Sequence, residues 1–252
     1  MLISEGGGSI LGGSLLYWFG GYMYTLLLVV SLLILATFFV LPLLTSQDRN
    51  DSWVKQENVR ESGWRETFSF VRSKMMVIVI FSTILNSLLI IIDVLGGPLM
   101  KISLDANSLT YGFYMGSLSI GGLLGALITP MLRFKRIGKL IFAYFIISGI
   151  STLLMGMIHI IAIVVFLPFF IGFIASISNI PLMTYLQKII PRKIMGKTTS
   201  LMDTLRIGTA PFSSFGFCVI GAIYGVSNSF IVVGILLLST SALIPLTLNS
   251  RF

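Results

Sequence analysis

Residues 160–183 read IIAIVVFLPFFIGFIASISNIPLM, an apolar run of 24 residues without a single charged side chain. About 20 such residues are enough for a helix to cross a hydrocarbon core of roughly 30 Å. A soluble domain has no comparable use for an uncharged segment of this length. The run therefore predicts a membrane-spanning helix, and with it an integral membrane protein.

The composition of the whole chain agrees with this run. Of 252 residues, 56% are hydrophobic and 10% are charged, against roughly a quarter charged in an ordinary soluble domain. The net charge of +8 sits in short loops between apolar runs, where basic residues act as topology signals. We therefore expect the chain to contact a lipid bilayer and not a nucleic acid.

The same criterion of length and flanking charge identifies further spans on both sides of the first. The weakest of them contains Glu5 and five glycines, and another is interrupted near its start by Pro211. Proline is tolerated in a membrane helix where neighbouring groups satisfy the freed backbone. The sequence thus predicts an all-α membrane protein of about eight spans, at residues 2–19, 22–44, 75–97, 109–132, 139–158, 160–183, 205–224 and 229–248.

Basic residues occur in alternate loops, and 15 of the 17 fall on one side of the predicted membrane. Lys101 falls on the opposite side, and Arg206 is predicted at the edge of the basic side. Short cytoplasmic loops collect Lys and Arg, so we expect a multi-pass protein of the plasma membrane with both termini cytoplasmic. Two short loops carry much of this signal: Arg133, Lys135, Arg136 and Lys139 in one, and Lys188, Arg192, Lys193 and Lys197 in the other.

Polar residues inside the spans are candidates for a substrate pathway, because ionisable groups are costly in a membrane. Glu5 and Asp93 are the two acids that qualify, although each could also be solvated at a membrane surface. Asn86 lies deeper in its span, and Asn179 lies just before Pro181 in the sixth span. Each asparagine could form a hydrogen bond either to a neighbouring helix or to a substrate.

Asp203 and Arg206 are three residues apart at the start of the seventh predicted span, so one helical face can carry both. We expect an ion pair at the membrane interface that fixes the end of the helix. A gating role for this pair is the alternative.

Glycines four residues apart are the other recurrent pattern in the spans. Small residues let membrane helices approach closely, so we expect these glycines in helix packing, with a hinge or a substrate-lining role as the alternative. They are Gly8, Gly12 and Gly13 in the first span and Gly112, Gly116, Gly121 and Gly125 in the fourth.

The sequence contains no pattern typical of enzymatic chemistry. Cys218 is the sole cysteine and His159 the sole histidine, too few soft ligands for a zinc or haem site. No nucleophile elbow, phosphate-binding loop or metal-ligand cluster is present. We therefore expect no cofactor, no metal and no enzymatic activity.

Three segments carry a resemblance to a known family. Residues 125–139, GALITPMLRFKRIGK, resemble the basic loop between paired helices in the second half of a major facilitator superfamily transporter. Residues 190–197, IPRKIMGK, resemble the segment that joins the tenth and eleventh helices of that family. Residues 8–13, GSILGG, resemble its fifth-helix antiporter motif, with Ser9 in the usual place of a proline. The whole pattern is most similar to the macrolide-efflux and enterobactin-exporter branch.

This resemblance implies a division of the chain and a function. Residues 1–44 would be the last two helices of an N-terminal bundle, residues 45–74 a charged cytoplasmic linker, and residues 75–252 a C-terminal six-helix bundle. The family's first four helices would be missing. The implied activity is proton-coupled efflux of drug-like or other small amphipathic molecules.

Three hypotheses follow from this reading. The chain is a truncated efflux transporter that is inactive alone, a half-transporter whose partner chain supplies the missing helices, or a non-transporting membrane scaffold or membrane-embedded enzyme. The basic loops favour a transporter over a scaffold. The scarcity of His, Asp and Cys argues against an enzyme.

The predicted orientation can be tested with reporter fusions. Alkaline phosphatase, which is active only outside the cytoplasm, should be active when fused after Asp105 and inactive when fused after Lys135. A cytoplasmic fluorescent reporter should give the reverse result at both positions. An active phosphatase after Lys135 would invert the orientation that the basic residues predict.

Overall fold

A computed structural model describes residues 64–132 and 137–248. In these two ranges every regular element is a helix, as the apolar runs predicted. The spans predicted at 2–19 and 22–44, and with them Glu5, Gly8, Gly12 and Gly13, lie outside the described residues.

The described α-helices are α1 (Trp64–Phe70), α2 (Met76–Leu89), α3 (Ile91–Pro98), α4 (Ser108–Ile128), α5 (Ile137–Met157), α6 (Ile161–Ile189), α7 (Met195–Gly208), α8 (Ala210–Tyr224) and α9 (Val226–Leu248). Single π or 3-10 turns extend some of them. Six segments of this part of the chain are long and apolar enough to cross a membrane. They correspond in order to the last six predicted spans, with α2–α3 and α7–α8 each forming one interrupted crossing.

Two crossings extend further than predicted. Helix α6 continues through Pro181 to Ile189, six residues past the predicted end. Helix α7 begins at Met195, ten residues before the predicted start of its span at residue 205. The prediction stopped at polar residues, whereas a helix continues into the interface as long as its own backbone hydrogen bonds persist. Lys188, for example, is exposed in the last turn of α6.

Local side chains fix the turn between α3 and α4. Asp105 has a left-handed backbone (φ 48°), a conformation that Asp and Asn adopt more readily than most residues. Beyond it, the Ala106 N–H donates to the Met100 carbonyl oxygen over 2.8 Å. Asn107 Oδ1 accepts from the Thr110 N–H over 2.9 Å and caps α4. The chain thereby ends one crossing and starts the next within a few residues.

Helices α4 and α6 form the most extensive helix pair. A Cβ atom at Gly121 would overlap the carbonyl oxygen of Phe169, and one at Gly172 would overlap that of Leu118. Ser117 Oγ lies 2.6 Å from a carbonyl oxygen of α6 across the same contact. The two backbones touch because these glycines leave no side chain between them, which is the usual basis of close helix packing in a membrane.

Helix α5 packs against α6 and α9. Most of its buried apolar side chains belong to the same core as those of α2. Gly149 and Gly156 of α5, and Gly234 of α9, stand where a Cβ would meet the opposite helix. Phe145 is fully buried and meets Phe81 edge to face, with ring centroids 6.0 Å apart. The starts of α2, α5 and α7 lie at the same end of the bundle as the ends of α4 and α6, and this end is called the basic end below.

Replacing Gly121 with valine should destabilise the protein, because the new side chain would force α4 away from α6. We expect a loss of about 1–3 kcal/mol, typical of an overpacked helix contact, measured by thermal unfolding of the detergent-solubilised protein. Gly216→Val is the matched control, since a Cβ at Gly216 meets nothing within 4 Å. Equal stability of the two variants would contradict the described packing of α4 on α6.

Candidate functional site

An open cavity of about 560 Å³ lies among the helices of the bundle. Its lining comes from α2, α3, α4 and α6, from the junction of α7 and α8, and from Tyr144 of α5. Much of the wall is apolar, including Leu118 and Ile171. A volume of this size and a largely apolar wall are typical of a site for a small organic molecule.

Polar side chains meet in this cavity at one depth. Asn86 lies ten residues from the start of α2, Asn179 ten residues from the end of α6, and Arg206 eleven residues from the start of α7. At a rise of 1.5 Å per residue, each is about 15 Å from the basic end. The three residues therefore lie at nearly the same distance from this end of the bundle.

A narrow recess of about 40 Å³ opens beside these residues. Ser82 and Ser178 also line it, and their hydroxyl groups donate to backbone carbonyl oxygens over 2.8 and 3.2 Å. The other polar groups at the recess are the amides of Asn86 and Asn179, the Tyr144 hydroxyl and the Arg206 guanidinium. The recess is therefore rich in hydrogen-bond donors.

The break between α7 and α8 holds Arg206 beside α2. Pro211 lies in the first turn of α8 and has no N–H to continue the hydrogen bonds of α7. At the break, Thr209 Oγ1 donates to the Arg206 carbonyl oxygen over 3.1 Å and accepts from Ser87 Oγ over 2.8 Å. These bonds join the interrupted crossing to α2 one residue from Asn86.

The second interruption lies between Asn86 and Asp93. At Ile90 the helix tightens, and the Asp93 N–H donates to the Ile90 carbonyl oxygen over 3.1 Å. Asp93 is 17 residues from the start of α2, about 25 Å from the basic end. Asp93 is exposed and lines the cavity but not the recess. Its carboxylate therefore lies apart from the hydrogen-bond donors of the recess.

The structure thus brings Asn86, Asn179 and Asp93, which the sequence proposed separately, to one cavity. Arg206 lines the same cavity, on a helix that begins ten residues earlier than expected. Asp203 is exposed, and these two described residues form no ion pair with each other.

The remaining predicted residues lie outside the cavity or the described ranges. Gly112, Gly116, Gly121 and Gly125 are buried in α4. Lys139, Lys188 and Lys193 are exposed, and Lys197 is partly buried. Arg133, Lys135, Arg136 and the side chain of Arg192 lie outside the described residues.

Sequence reasoning missed Tyr144, and a signal for it existed. Membrane proteins concentrate tyrosines at the two interfaces, yet Tyr144 is seven residues from the start of α5, about 10 Å inside. A tyrosine at that depth has to find a polar surrounding. Ser119 and Ser176, which also line the cavity, had no comparable signal because serine is common in helix contacts.

Six apolar crossings, five of which line a partly polar cavity, fit a multi-pass membrane transport protein. A comparison with family models matches residues 2–214 to the Major Facilitator Superfamily. The chain belongs to this superfamily, whose members are transporters and not enzymes. Comparisons with curated proteins and with solved structures found no match. Among the described residues there is no cluster of His, Cys, Asp and Glu that could hold a metal ion.

The cavity predicts a sharp difference between two neighbouring positions of α6. In a Cys218→Ser background, Ser176→Cys should react with a membrane-impermeant thiol reagent, because Ser176 lines the cavity. The adjacent variant Ile177→Cys should stay unlabelled, since Ile177 is 7% exposed in the core. Mass spectrometry of the labelled protein measures both. No labelling of Ser176→Cys would show that the cavity is not reached by water, and equal labelling of both variants would contradict the described burial of Ile177.

Proposed function

We propose that this transporter exports small amphipathic molecules and that a proton gradient drives the export. The observation that carries the proposal is the cavity itself, with apolar walls and a ring of polar groups near mid-depth. The walls suit the apolar body of an amphipathic molecule, and the polar groups suit its head.

The two interrupted crossings support this assignment. Transporter sites near the membrane midplane are typically formed by discontinuous helices, whose freed backbone groups and flanking side chains face the substrate. Here α2–α3 and α7–α8 are both interrupted, and both line the cavity. The coupling to protons and the outward direction rest on the resemblance of residues 8–13 to an antiporter motif and of the chain to drug exporters.

A second candidate function is that of a half-transporter, which assembles with a separate chain. The α7–α8 crossing favours it, because only 6% of its most apolar window is buried. Phe212 and Phe215 of α8 are 81% and 74% exposed. A second helical bundle over this face would cover these rings and close the cavity. Lipid is the alternative cover.

Export can be tested in cells that lack their main efflux systems. Expression of the chain should raise the minimum inhibitory concentration of at least one amphipathic compound, and a protonophore should abolish the increase. The double variant Asn86→Leu, Asn179→Leu should lose it, because the polar ring of the cavity becomes apolar. Cys218→Ser is the control, because Cys218 is exposed and does not line the cavity.

No change for any compound would contradict autonomous export. Proton-driven transport by the purified chain alone, reconstituted in vesicles, would contradict the half-transporter. If reconstituted vesicles are inactive alone and become active with a second chain, the half-transporter is supported instead.

A further inference from the structure

Arg206 is the one basic residue among the described residues that lines the cavity, and it lies about 15 Å from the basic end. Its neighbours along the chain, Leu205 and Ile207, are apolar and exposed. A guanidinium stays charged at any physiological pH. Charged side chains at such a depth are costly, and they commonly pair with an opposite charge or with substrate.

No carboxylate of the described residues provides that opposite charge. Arg206 forms no ion pair with any of them. Asp203 lies one helical turn earlier but does not line the cavity, and Asp93 lines its far end without reaching the recess. Asn86 and Arg206 are both about 10 Å closer to the basic end than Asp93.

The other groups of the recess can donate hydrogen bonds to an oxyanion together with Arg206. An asparagine amide and a tyrosine hydroxyl can each donate a hydrogen bond, and a guanidinium can only donate. Asn86, Asn179 and Tyr144 stand around Arg206 at the same recess. Hydrogen bonds from a guanidinium to a carboxylate or phosphate are about twice as strong as neutral ones. The set therefore combines one fixed positive charge with neutral donors.

The bonds at the α7–α8 break give this charge a fixed position. Ser87 of α2 donates to Thr209, and Thr209 donates to the carbonyl oxygen of Arg206. The backbone that carries the guanidinium is thus attached to the helix that carries Asn86. A site whose charge and amide are held together needs little reorganisation when an anion binds.

We propose that Arg206, with Asn86, Asn179 and Tyr144, binds the acidic group of an amphipathic organic anion, so that carboxylate- or sulfonate-bearing molecules are the transported class. The apolar walls contact the rest of the molecule. The acidic group lies at the recess, where the guanidinium of Arg206 attracts it. This inference rests on the proposed function, since it takes the cavity as the transport pathway.

The test compares two probes that differ in one charge, anthracene-2-carboxylate and anthracene-2-carboxamide. Their fluorescence measures binding to the purified full chain in nanodiscs of phosphatidylcholine. The native protein should bind the carboxylate more tightly. Arg206→Gln should weaken carboxylate binding by about ten- to a hundred-fold, the range for a lost hydrogen bond to a charged group. It should leave carboxamide binding unchanged, which also shows that the variant is folded.

Two further variants control for charge. Arg206→Lys retains the positive charge and should keep most of the carboxylate binding. Lys101→Gln removes the same unit of charge from an exposed position that does not line the cavity, and it should change neither probe. Equal loss with Lys101→Gln would assign the effect to net charge and overturn the site.

The remaining outcomes would each overturn the anion site or the proposed substrate class. Equal binding of the two probes by the native chain, no binding of either, or equal loss of both in Arg206→Gln overturns the anion site. Displacement of the carboxylate by added phosphatidylglycerol assigns the recess to a lipid headgroup and overturns the substrate class. None of these results depends on export, so the transport function would stand or fall separately on the susceptibility of cells.

Discussion

The hydrocarbon interior of a bilayer offers a backbone no hydrogen-bond partner, so each crossing has to satisfy its own N–H and C=O groups. Uninterrupted helices without proline meet this requirement by themselves, as α4 and α5 do. Once each helix is self-sufficient, water no longer drives the helices together, and association depends on how closely their surfaces fit. The contact of α4 with α6 follows from this constraint, because Gly121 and Gly172 let one backbone touch the other.

The same constraint explains why the interruptions coincide with the cavity. A break in a membrane helix leaves backbone groups that must be satisfied by side chains, water or ligand. At the α7–α8 break, the Thr209 hydroxyl donates a hydrogen bond to a backbone carbonyl oxygen and accepts one from Ser87. Both side chains lie beside Arg206 and Asn86. Polar side chains that bond to the backbone and polar side chains that face the cavity therefore occupy one region, while the α4–α6 and α5–α9 contacts are tightly packed around glycines.

Much of the fold was predictable, and much of the site was not. Apolar runs predicted all six described crossings because length and hydrophobicity alone decide whether a segment spans. The start of α7 was missed because residues 195–204 are polar. Polarity indicates whether a segment lies in water or in lipid, but it does not indicate whether the segment is a helix or a loop. Asn86, Asn179 and Asp93 were proposed on the cost of polar groups in a span, but nothing in their spacing showed that they share a cavity with one another and with Arg206.

The sequence by itself determined that the chain is a membrane protein, where its crossings lie and, through three short segments, the family that the family model then matched. These properties depend on local hydrophobicity and on charge along the chain. Only the tertiary structure decided which residues meet. Asn86, Tyr144, Asn179 and Arg206 come from four different helices, and their meeting at one recess follows from where each helix begins or ends. That position is set by packing between helices, which no single segment encodes.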